Sequence, residues 1–259
     1  MSKHVIYATD LDRTLIFSYR FLNEIPYNKE KVLVETKEGK ELSYMSKLAY
    51  DKLQDISVNN DIIIVPVTTR SIDEYKRVNL GFVPKYAIVA NGGVILENGE
   101  PCIKYSKYIK SYLDPLELAT LSIDLMELTS LSKEPKLIDS CYWFMKTNNE
   151  DLFDVEIHDL IEKYPKWQFI RQKNKCYIIP IHISKQIALR WLYNELSKPY
   201  IIASGDSLLD IPMLSLANEA IVPYHSDLLK DKVVQNCRVV HGGIESPYKT
   251  MLCVEKYVN

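Results

Sequence analysis

The chain has 259 residues, of which 47% are hydrophobic and 25% are charged, a composition typical of soluble globular proteins and unlike that of disordered chains. Its formal net charge of −2 predicts binding neither to nucleic acid nor to an anionic membrane surface. The five cysteines are scattered, and no apolar run precedes a small-residue cleavage site near the N-terminus, so we expect a reduced, cytoplasmic protein.

Short apolar runs that end in polar residues predict buried parallel strands. These runs cover residues 4–8, 62–67, 86–90 and 200–203. Helix-period patterns over residues 46–58 and 184–196 alternate with the runs. Because the carboxyl ends of parallel strands meet at one edge of a sheet, the pattern predicts an α/β, Rossmann-like core with a site at that edge.

Two other regions depart from this alternation. Residues 32–36 and 41–44 predict a β-hairpin flap soon after the first strand. A later region of mixed helices and strands predicts an antiparallel α+β module. Its predicted elements are a helix at 115–129, a strand at 137–146, a helix at 151–164 and strands at 167–172 and 176–181. We therefore predict a core of residues 1–95 and 182–259 and an inserted domain of residues 96–181.

Aromatic side chains are frequent in the inserted region, with tyrosines, tryptophans and phenylalanines on most of its predicted elements. Such rings can stack on a sugar, but they more often form the hydrophobic core of their own module. The sequence is compatible with both roles, stacking on a sugar and packing in the core of the module.

Two carboxylates follow the first predicted strand. Asp10 and Asp12 flank Leu11, and residues i and i+2 of an extended segment point to the same side. Two carboxylates in one crevice repel each other unless a cation or a shared proton lies between them. The alternative is a solvated turn or a helix cap formed with Thr14.

Two more carboxylates follow the strand at 200–203. Asp206 and Asp210 lie within the sequence GDSLLD, which begins at Gly205. Hard oxygen ligands gathered at one sheet edge suit Mg²⁺, which prefers carboxylates together with a phosphate. The alternative is a helix start capped by Asp206 and Ser207.

A hydroxyl and a lysine complete the pattern. Thr68 ends the strand at 62–67, where its hydroxyl and the neighbouring backbone can hold a phosphate oxygen. Lys185 begins a predicted helix and can hold another such oxygen. Taken singly, a threonine at a strand end is usually part of a turn, and a lysine is usually a solvated surface charge.

The order of these groups is DLDRTL from Asp10, then Thr68, then Lys185, then GDSLLD from Gly205. This order resembles the four motifs of the haloacid dehalogenase (HAD) superfamily of phosphohydrolases. An extra domain between Thr68 and Lys185 resembles the type-II cap of the branch that contains sucrose-phosphate phosphatase. The turn at residues 90–93 is similar to that branch as well.

The resemblance implies catalytic roles for four residues. Asp10 would attack phosphorus and form an aspartyl-phosphate. Asp12 would protonate the leaving oxygen and later deprotonate the attacking water. Thr68 and Lys185 would bind the oxygens of the transferred phosphoryl group.

The resemblance also implies a magnesium cofactor. Asp10, Asp206 and the backbone carbonyl of Asp12 would be its ligands, and Asp210 would bind it directly or through water. We also predict three substrate-binding residues: Arg70, because it stands at a strand end beside the site, and Asn91 and Gly92, which lie in the turn that is similar to that branch.

The chain departs from the pattern of that branch at two positions. Thr69 precedes Arg70 where the branch usually has glycine, and Leu209 stands where it usually has asparagine. Thr69 restricts the backbone, and Leu209 removes one polar group from the shell around the metal. Every residue that the chemistry requires is nevertheless present.

The function that these residues predict is a magnesium-dependent phosphatase acting on a small phosphorylated metabolite such as a sugar phosphate. Two alternatives keep the same site: a phosphomutase or phosphotransferase with the same nucleophile, and a catalytically silent protein that binds a phosphorylated ligand. A receiver domain also uses an aspartate, a threonine and a lysine, but it is about half this length and has no cap. The sequence indicates no oligomeric state.

Overall fold

A computed structural model describes residues 4–24, 27–197, 199–229 and 236–258. Within these residues the strands, in chain order, are β1 (Val5–Thr9), β2 (Phe17–Ser18), β3 (Lys31–Lys37), β4 (Lys40–Ser46), β5 (Ile62–Pro66), β6 (Tyr86–Val89), β7 (Val94–Glu97), β8 (Glu100–Pro101), β9 (Lys136–Ile138), β10 (Tyr142–Lys146), β11 (Trp167–Gln172), β12 (Lys175–Pro180), β13 (Tyr200–Ser204), β14 (Glu219–Pro223) and β15 (Arg238–Val240). The helices are α1 (Tyr19–Glu24), α2 (Lys47–Ser57), α3 (Ile72–Lys76), α4 (Ile103–Lys110), α5 (Pro115–Met126), α6 (Glu150–Glu156), α7 (His158–Lys163), α8 (Lys185–Glu195), α9 (Ile211–Leu216) and α10 (Ser246–Glu255).

The central sheet has the order β15-β14-β13-β1-β5, and all of its strand pairs are parallel. Every residue of β1 is buried, as expected of a strand covered on both faces. The carboxyl ends of β1, β5 and β13 therefore lie side by side at one edge. This arrangement confirms the α/β core predicted from the apolar runs.

The predicted flap is confirmed as the hairpin of β3 and β4, to which β2 adds a third strand. Glu38 and Gly39 form its turn, and both have positive φ angles, of 52° and 76°. The pairing shifts register around Glu35, which is buried and receives a hydrogen bond from Ser43. The flap therefore holds a charged side chain in its interior.

The prediction that residues 86–90 form a strand of the central parallel sheet needs correction. β6 instead pairs with β7 in a separate antiparallel sheet of order β6-β7-β8. It meets the central sheet through one parallel bridge, between Val67 and Ile88. The reason is the tight turn at residues 90–92, which sends the chain back along β6 at once.

The inserted region contains a four-stranded antiparallel sheet of order β11-β12-β10-β9. The single strand predicted at residues 137–146 is wrong, because Asp139 and Ser140 have φ angles of 44° and 58° and turn the chain into a β9–β10 hairpin. The single helix predicted at 151–164 is also wrong. A turn residue, Ile157, separates α6 from α7, although its backbone still bonds to both helices.

Two hydrophobic clusters match this organisation. The larger one surrounds the central sheet, whereas the smaller one lies entirely between Leu118 and Ile178. α4, which the sequence did not predict, packs with the larger cluster through Tyr105 and Ile109. The exact boundaries of the inserted domain at residues 96 and 181 stay a prediction. Among the described residues, no helix combines the length and apolar character needed to cross a membrane.

Candidate active site

Asp10 leaves the end of β1 and enters the sheet edge. Its backbone N–H donates to the carbonyl of Ser204 on β13 at 2.9 Å, which fixes the two strand ends together. The carbonyl of Leu11 accepts from the backbone of Leu15 at 2.8 Å and Ile16 at 2.9 Å, so the chain turns sharply after Asp12. Asp10 is buried, whereas half of the Asp12 side chain is exposed.

The loop after β13 brings two further carboxylates to the same edge. Oδ2 of Asp210 accepts from the backbone N–H groups of Asp206 and Ser207 at 3.0 and 2.9 Å, and from the Ser207 hydroxyl at 2.9 Å. A Cβ at Gly205 would lie 2.5 Å from the Cβ of Asp210, so only glycine fits there. The alternative of a capped helix start is partly right, because Ser207 is the N-cap of the short helical turn that contains Asp210.

Lys185 connects two of these carboxylates. Ser184 caps α8, and the Nζ of Lys185 donates to Asp10 at 2.6 Å and to Asp210 at 2.5 Å. All three side chains are buried. The lysine is therefore no solvated surface charge, and the structure brings it to the place that the sequence predicted.

Gly92 allows the neighbouring turn to approach this lysine closely. Its φ is 97°, and a Cβ there would lie 2.2 Å from the carbonyl oxygen of Ser184. Asn91 is buried beside it, and its backbone N–H donates to the carbonyl of Thr68 at 3.0 Å. The Asn91 side-chain oxygen is buried and has no hydrogen-bond partner among the described residues. The turn thus joins the Thr68 and Lys185 segments.

The electrostatics of the cluster follow from its burial. Burial and the nearby Asp210 raise the pKa of Asp10 well above its usual value, although Lys185 opposes this shift. The same two causes raise the pKa of Asp206 to about 7. Burial disfavours the charge on Lys185, but Asp10 and Asp210 outweigh it and raise the lysine's pKa. Fully ionised, the cluster would therefore carry more negative charge than its own cation balances.

Asp10, Asp206 and Asp210 are also the right groups for a divalent cation. Each offers a carboxylate oxygen, and these oxygens lie within 4.8 Å of one another. Hard oxygen donors in a buried, electron-rich pocket fit Mg²⁺. The Asp12 carboxylate does not belong to this group in the described part of the chain, so only its backbone carbonyl keeps the predicted role of a ligand.

The Asp12 carboxylate pairs instead with Arg70, whose Nε and Nη2 each donate to it at 2.8 Å. Burial around Asp12 raises its pKa, but the hydrogen bonds and charge of Arg70 outweigh this and lower it. Arg70 also forms an ion pair of 2.8 Å with buried Glu35 of the flap. Glu35 accepts a further contact from Arg77 at 3.3 Å.

Thr68 is buried at the end of β5, and its backbone N–H donates to the carbonyl of Ile88 at 2.8 Å. Its hydroxyl accepts from the backbone N–H of Arg70 at 3.2 Å. One residue further on, the carbonyl of Thr69 accepts from the hydroxyl of Tyr142 in the inserted domain at 2.7 Å. This contact brings the cap sheet against the predicted site.

Two contributors to the site were missed in the sequence. Glu35 lies in a flap strand whose pattern predicted only a hairpin. Arg13 has a φ of 64°, and its Nε lies 3.4 Å from Asp206. The carbonyl of His225 accepts from Arg13 at 3.2 Å, which ties the loop after β14 to the site. Neither residue carried a local signal, because a charged residue in a turn or hairpin is usually solvated.

A family model described as sucrose-6F-phosphate phosphohydrolase matches residues 3–238. The chain belongs to this family. It is therefore a member of the HAD superfamily and a phosphoric monoester hydrolase. No curated protein matches its sequence at a significant level.

Solved structures show the same fold. Sucrose-phosphatase from Synechocystis sp. PCC6803, in complex with sucrose and phosphate, superposes with a TM-score of 0.71 at 13% identity, covering 98% of each chain. A haloacid dehalogenase-like hydrolase from B. subtilis gives a TM-score of 0.59 at 16% identity, over 97% of this chain and 99% of that one. A HAD subclass IIB sugar phosphatase gives 0.63 at 12% identity, over 99% and 100%.

Proposed function

We propose that this protein is a magnesium-dependent phosphatase that hydrolyses a small sugar phosphate through an aspartyl-phosphate on Asp10. The observation that carries the proposal is the buried bridge from Lys185 to Asp10 and Asp210, at 2.6 and 2.5 Å, with Asp206 beside it. A structural ion pair needs only one carboxylate for one lysine. Three carboxylates around one lysine leave net negative charge, which a divalent cation that also binds the phosphate would compensate.

In the first step, an Asp10 carboxylate oxygen forms a bond to phosphorus while the bond from phosphorus to the sugar oxygen breaks. Asp12 gives its proton to that sugar oxygen. In the second step, water attacks phosphorus, the bond to Asp10 breaks, and the proton of the water passes to Asp12. Free phosphate and ionised Asp10 result, so the cycle closes.

Arg70 decides which form Asp12 takes. In this structure the hydrogen bonds from Arg70 favour the ionised form of Asp12, which is the form that accepts a proton from water. The first step needs the protonated form, so we propose that Arg70 turns toward the bound substrate and releases Asp12. This gives Arg70 the substrate-binding role that the sequence predicted.

Lys185 and Thr68 would hold the phosphoryl oxygens, and Asn91 and Gly92 would border them. The Asn91 side-chain oxygen is buried and has no partner in the described part of the protein, and as an acceptor it would take a hydrogen bond from a hydroxyl of the substrate. Because a Gly92 side chain would collide with the Ser184 carbonyl, that glycine keeps the turn close to the start of α8. The Lys185 ammonium group and the Thr68 hydroxyl are donors, and donors held in place stabilise the charge that spreads over the transferred group.

Asp10, Asp206, the backbone carbonyl of Asp12 and, directly or through water, Asp210 would hold the magnesium ion. When bound, the ion would neutralise the phosphate and orient it toward Asp10. The raised pKa values of Asp10 and Asp206 support this, because both carboxylates are unfavourable as anions without a further cation.

A sugar phosphate is the substrate class that the comparisons support. The family description names sucrose-6F-phosphate, and one structural neighbour is a sugar phosphatase. We further propose that residues 96–181 act as a cap over the core of residues 1–95 and 182–259 and help to choose the sugar. Location in the cytoplasm stays a prediction.

The test is phosphate release by the purified protein from a panel of sugar phosphates, with magnesium and after exhaustive chelation. We expect release that requires magnesium, and a phosphorylated protein that can be trapped in wild type but not in Asp10→Asn. Transfer of the phosphoryl group to a second sugar, instead of release, would establish the transferase alternative. No release from any sugar phosphate would overturn the proposal.

A further inference from the structure

Two lysines face each other across neighbouring strands of the cap sheet. In the antiparallel β10–β12 pair, Lys146 lies directly opposite Lys175, two positions along from the Phe144–Tyr177 pair. Both lysines are exposed, and neither ammonium group has a hydrogen bond or an ion pair within the described ranges. Like charges directly opposite each other destabilise a sheet, and no hydrogen bond or ion pair of these ammonium groups among the described residues offsets that cost.

The alternation along the strands shows which face carries these lysines. Cys176 and Met145 point into the small cluster of the cap, whereas Tyr177 packs with the large cluster of the core. Because side chains alternate along a strand, Lys175 shares the face of Tyr177 and not that of Cys176. Lys146, as the direct partner of Lys175, lies on this same face.

This face looks onto the candidate active site. The Tyr142 hydroxyl, on the same side of β10 as Lys146, donates to the carbonyl of Thr69 at 2.7 Å. Burial raises the pKa of Tyr177, and the charges of Lys185 and Asp12 also act on it. The charge of Lys175 in turn contributes to lowering the pKa of Asp12. The lysine pair therefore borders the space between cap and core.

The core has groups of its own for the phosphate that is cleaved. Lys185 and Thr68, with a magnesium ion at Asp10, Asp206 and Asp210, are the groups proposed to hold it. The transferred phosphate therefore does not require Lys146 and Lys175.

We propose that Lys146 and Lys175 form a second anion site, which binds an acidic group of the substrate remote from the phosphate that is cleaved. The substrate is then a phosphorylated sugar or sugar acid that carries a further carboxylate or phosphate. Phe144 and Tyr177, whose ring centroids lie 5.3 Å apart, line the path between the two anion sites. This inference rests on the proposed phosphatase function.

The first test compares substrates that differ by one acidic group. We would measure kcat/KM for 6-phosphogluconate against glucose 6-phosphate, and for fructose 1,6-bisphosphate against fructose 6-phosphate. We expect at least one substrate with two acidic groups to be preferred by about tenfold, the effect of a charge-assisted hydrogen bond. The first pair reports on a carboxylate and the second on a phosphate.

The lysine variants assign the preference to this site. Lys175→Gln and Lys146→Gln should raise KM for the substrate with two acidic groups by about five- to tenfold, with little change in kcat or in KM for the substrate with one acidic group. Lys107→Gln, at an exposed position of α4, removes the same charge elsewhere and should change none of these constants. An equal loss on all four substrates would mean that the lysines hold the cleaved phosphate, which overturns the proposal.

Direct binding separates this inference from the proposed function. In the Asp10→Asn background, calorimetry should show tighter binding of the substrate with two acidic groups than of the one with a single group, and Lys175→Gln should remove the difference. If wild type hydrolyses none of the four compounds but this binding difference holds, the phosphatase proposal fails and the anion site stands. If binding shows no preference for the second acidic group, the anion site is refuted.

Stability without any ligand gives a readout that does not depend on substrate choice. Because Lys146 and Lys175 repel each other, Lys175→Gln should raise the melting temperature, whereas Lys107→Gln should not. A lower melting temperature for Lys175→Gln would mean that the lysine stabilises the cap sheet, and the case for an unoccupied anion site would be lost.

Discussion

The two sides of the cleft use charge in opposite ways. On the core side, Asp10, Asp210 and Lys185 are buried and hold one another at hydrogen-bonding distance before any ligand arrives. On the cap side, Lys146 and Lys175 are exposed and face each other, and neither forms an ion pair in the part of the protein described. Preorganised charge serves the reacting atoms, because no reorganisation is needed at the moment of reaction. Unpaired positive charge on the cap is suited to recognition of a substrate, because an anionic group of the ligand would neutralise it.

Asp10→Asn should have the largest effect and would test the core side of this comparison. Loss of the nucleophile should reduce phosphate release by more than about a hundredfold, within the range of about two to four decades that single catalytic groups contribute. The fold should remain intact by circular dichroism, because a neutral side chain replaces a buried carboxylate. Asp55→Asn, on the exposed face of α2, is the matched control and should be fully active. Activity above about 1% of wild type would contradict the role of Asp10.

Removal of magnesium should also abolish turnover, and it offers a readout besides activity. Magnesium should raise the melting temperature of wild type by mass action, but not that of Asp206→Asn. Asp55→Asn serves again as the control with a normal response. Equal stabilisation of wild type and Asp206→Asn would exclude Asp206 as a ligand.

The stability of the metal-free protein should depend on pH through the same carboxylate. The pKa of Asp206 is raised to about 7, so the folded state binds its proton more tightly than the unfolded chain. This contribution to stability is complete below the ordinary pKa of 3.8 and is lost as the pH rises from there through about 7. After chelation, the melting temperature should therefore fall as the pH is raised between these two values, and Asp206→Asn should flatten the curve. A rising curve that Asp206→Asn does not change would contradict the raised pKa.

Glu35→Gln should have a smaller effect and would show whether buried charge on the core side is structural as well as functional. The substitution leaves Arg70 and Arg77 without their shared partner, and breaking a buried ion pair of this kind costs about 3 kcal/mol of stability. Urea unfolding would measure the loss. Glu38→Gln, at the exposed turn of the same hairpin, should change stability by less than about 0.5 kcal/mol. An equal loss of unfolding free energy in the two variants would mean that Glu35 does not stabilise the site.

Tyr142→Phe should have the smallest effect and tests the contact between the two sides. It removes the hydrogen bond from the cap to the Thr69 carbonyl, worth about 1 kcal/mol, and keeps the ring in place. We expect a few-fold loss of kcat/KM that is similar for all substrates. Tyr224→Phe, at an exposed position, should leave kcat/KM unchanged. A loss confined to one substrate would instead make the Tyr142 hydroxyl a direct substrate contact.

The sequence by itself determined the features of the protein that depend on residues close together in the chain. Buried parallel strands produce apolar runs, so β1, β5 and β13 were visible together with the acidic residues that follow two of them. The order of the carboxylates, Thr68 and Lys185 then predicted a common site, because parallel strands end at one edge of a sheet. Their convergence needed no further information.

Tertiary structure decided the features that join distant segments. The pairing of Glu35 with Arg70 depends on how the flap folds back on the sheet, and the pairing of Lys146 with Lys175 depends on the register of two strands. The turn at Asp139 and Ser140 was invisible because neither residue is a glycine, although both adopt positive φ angles. Local sequence patterns predict which residues share one face of a strand or helix. Contacts between segments that are distant in sequence decide which charged groups lie next to each other.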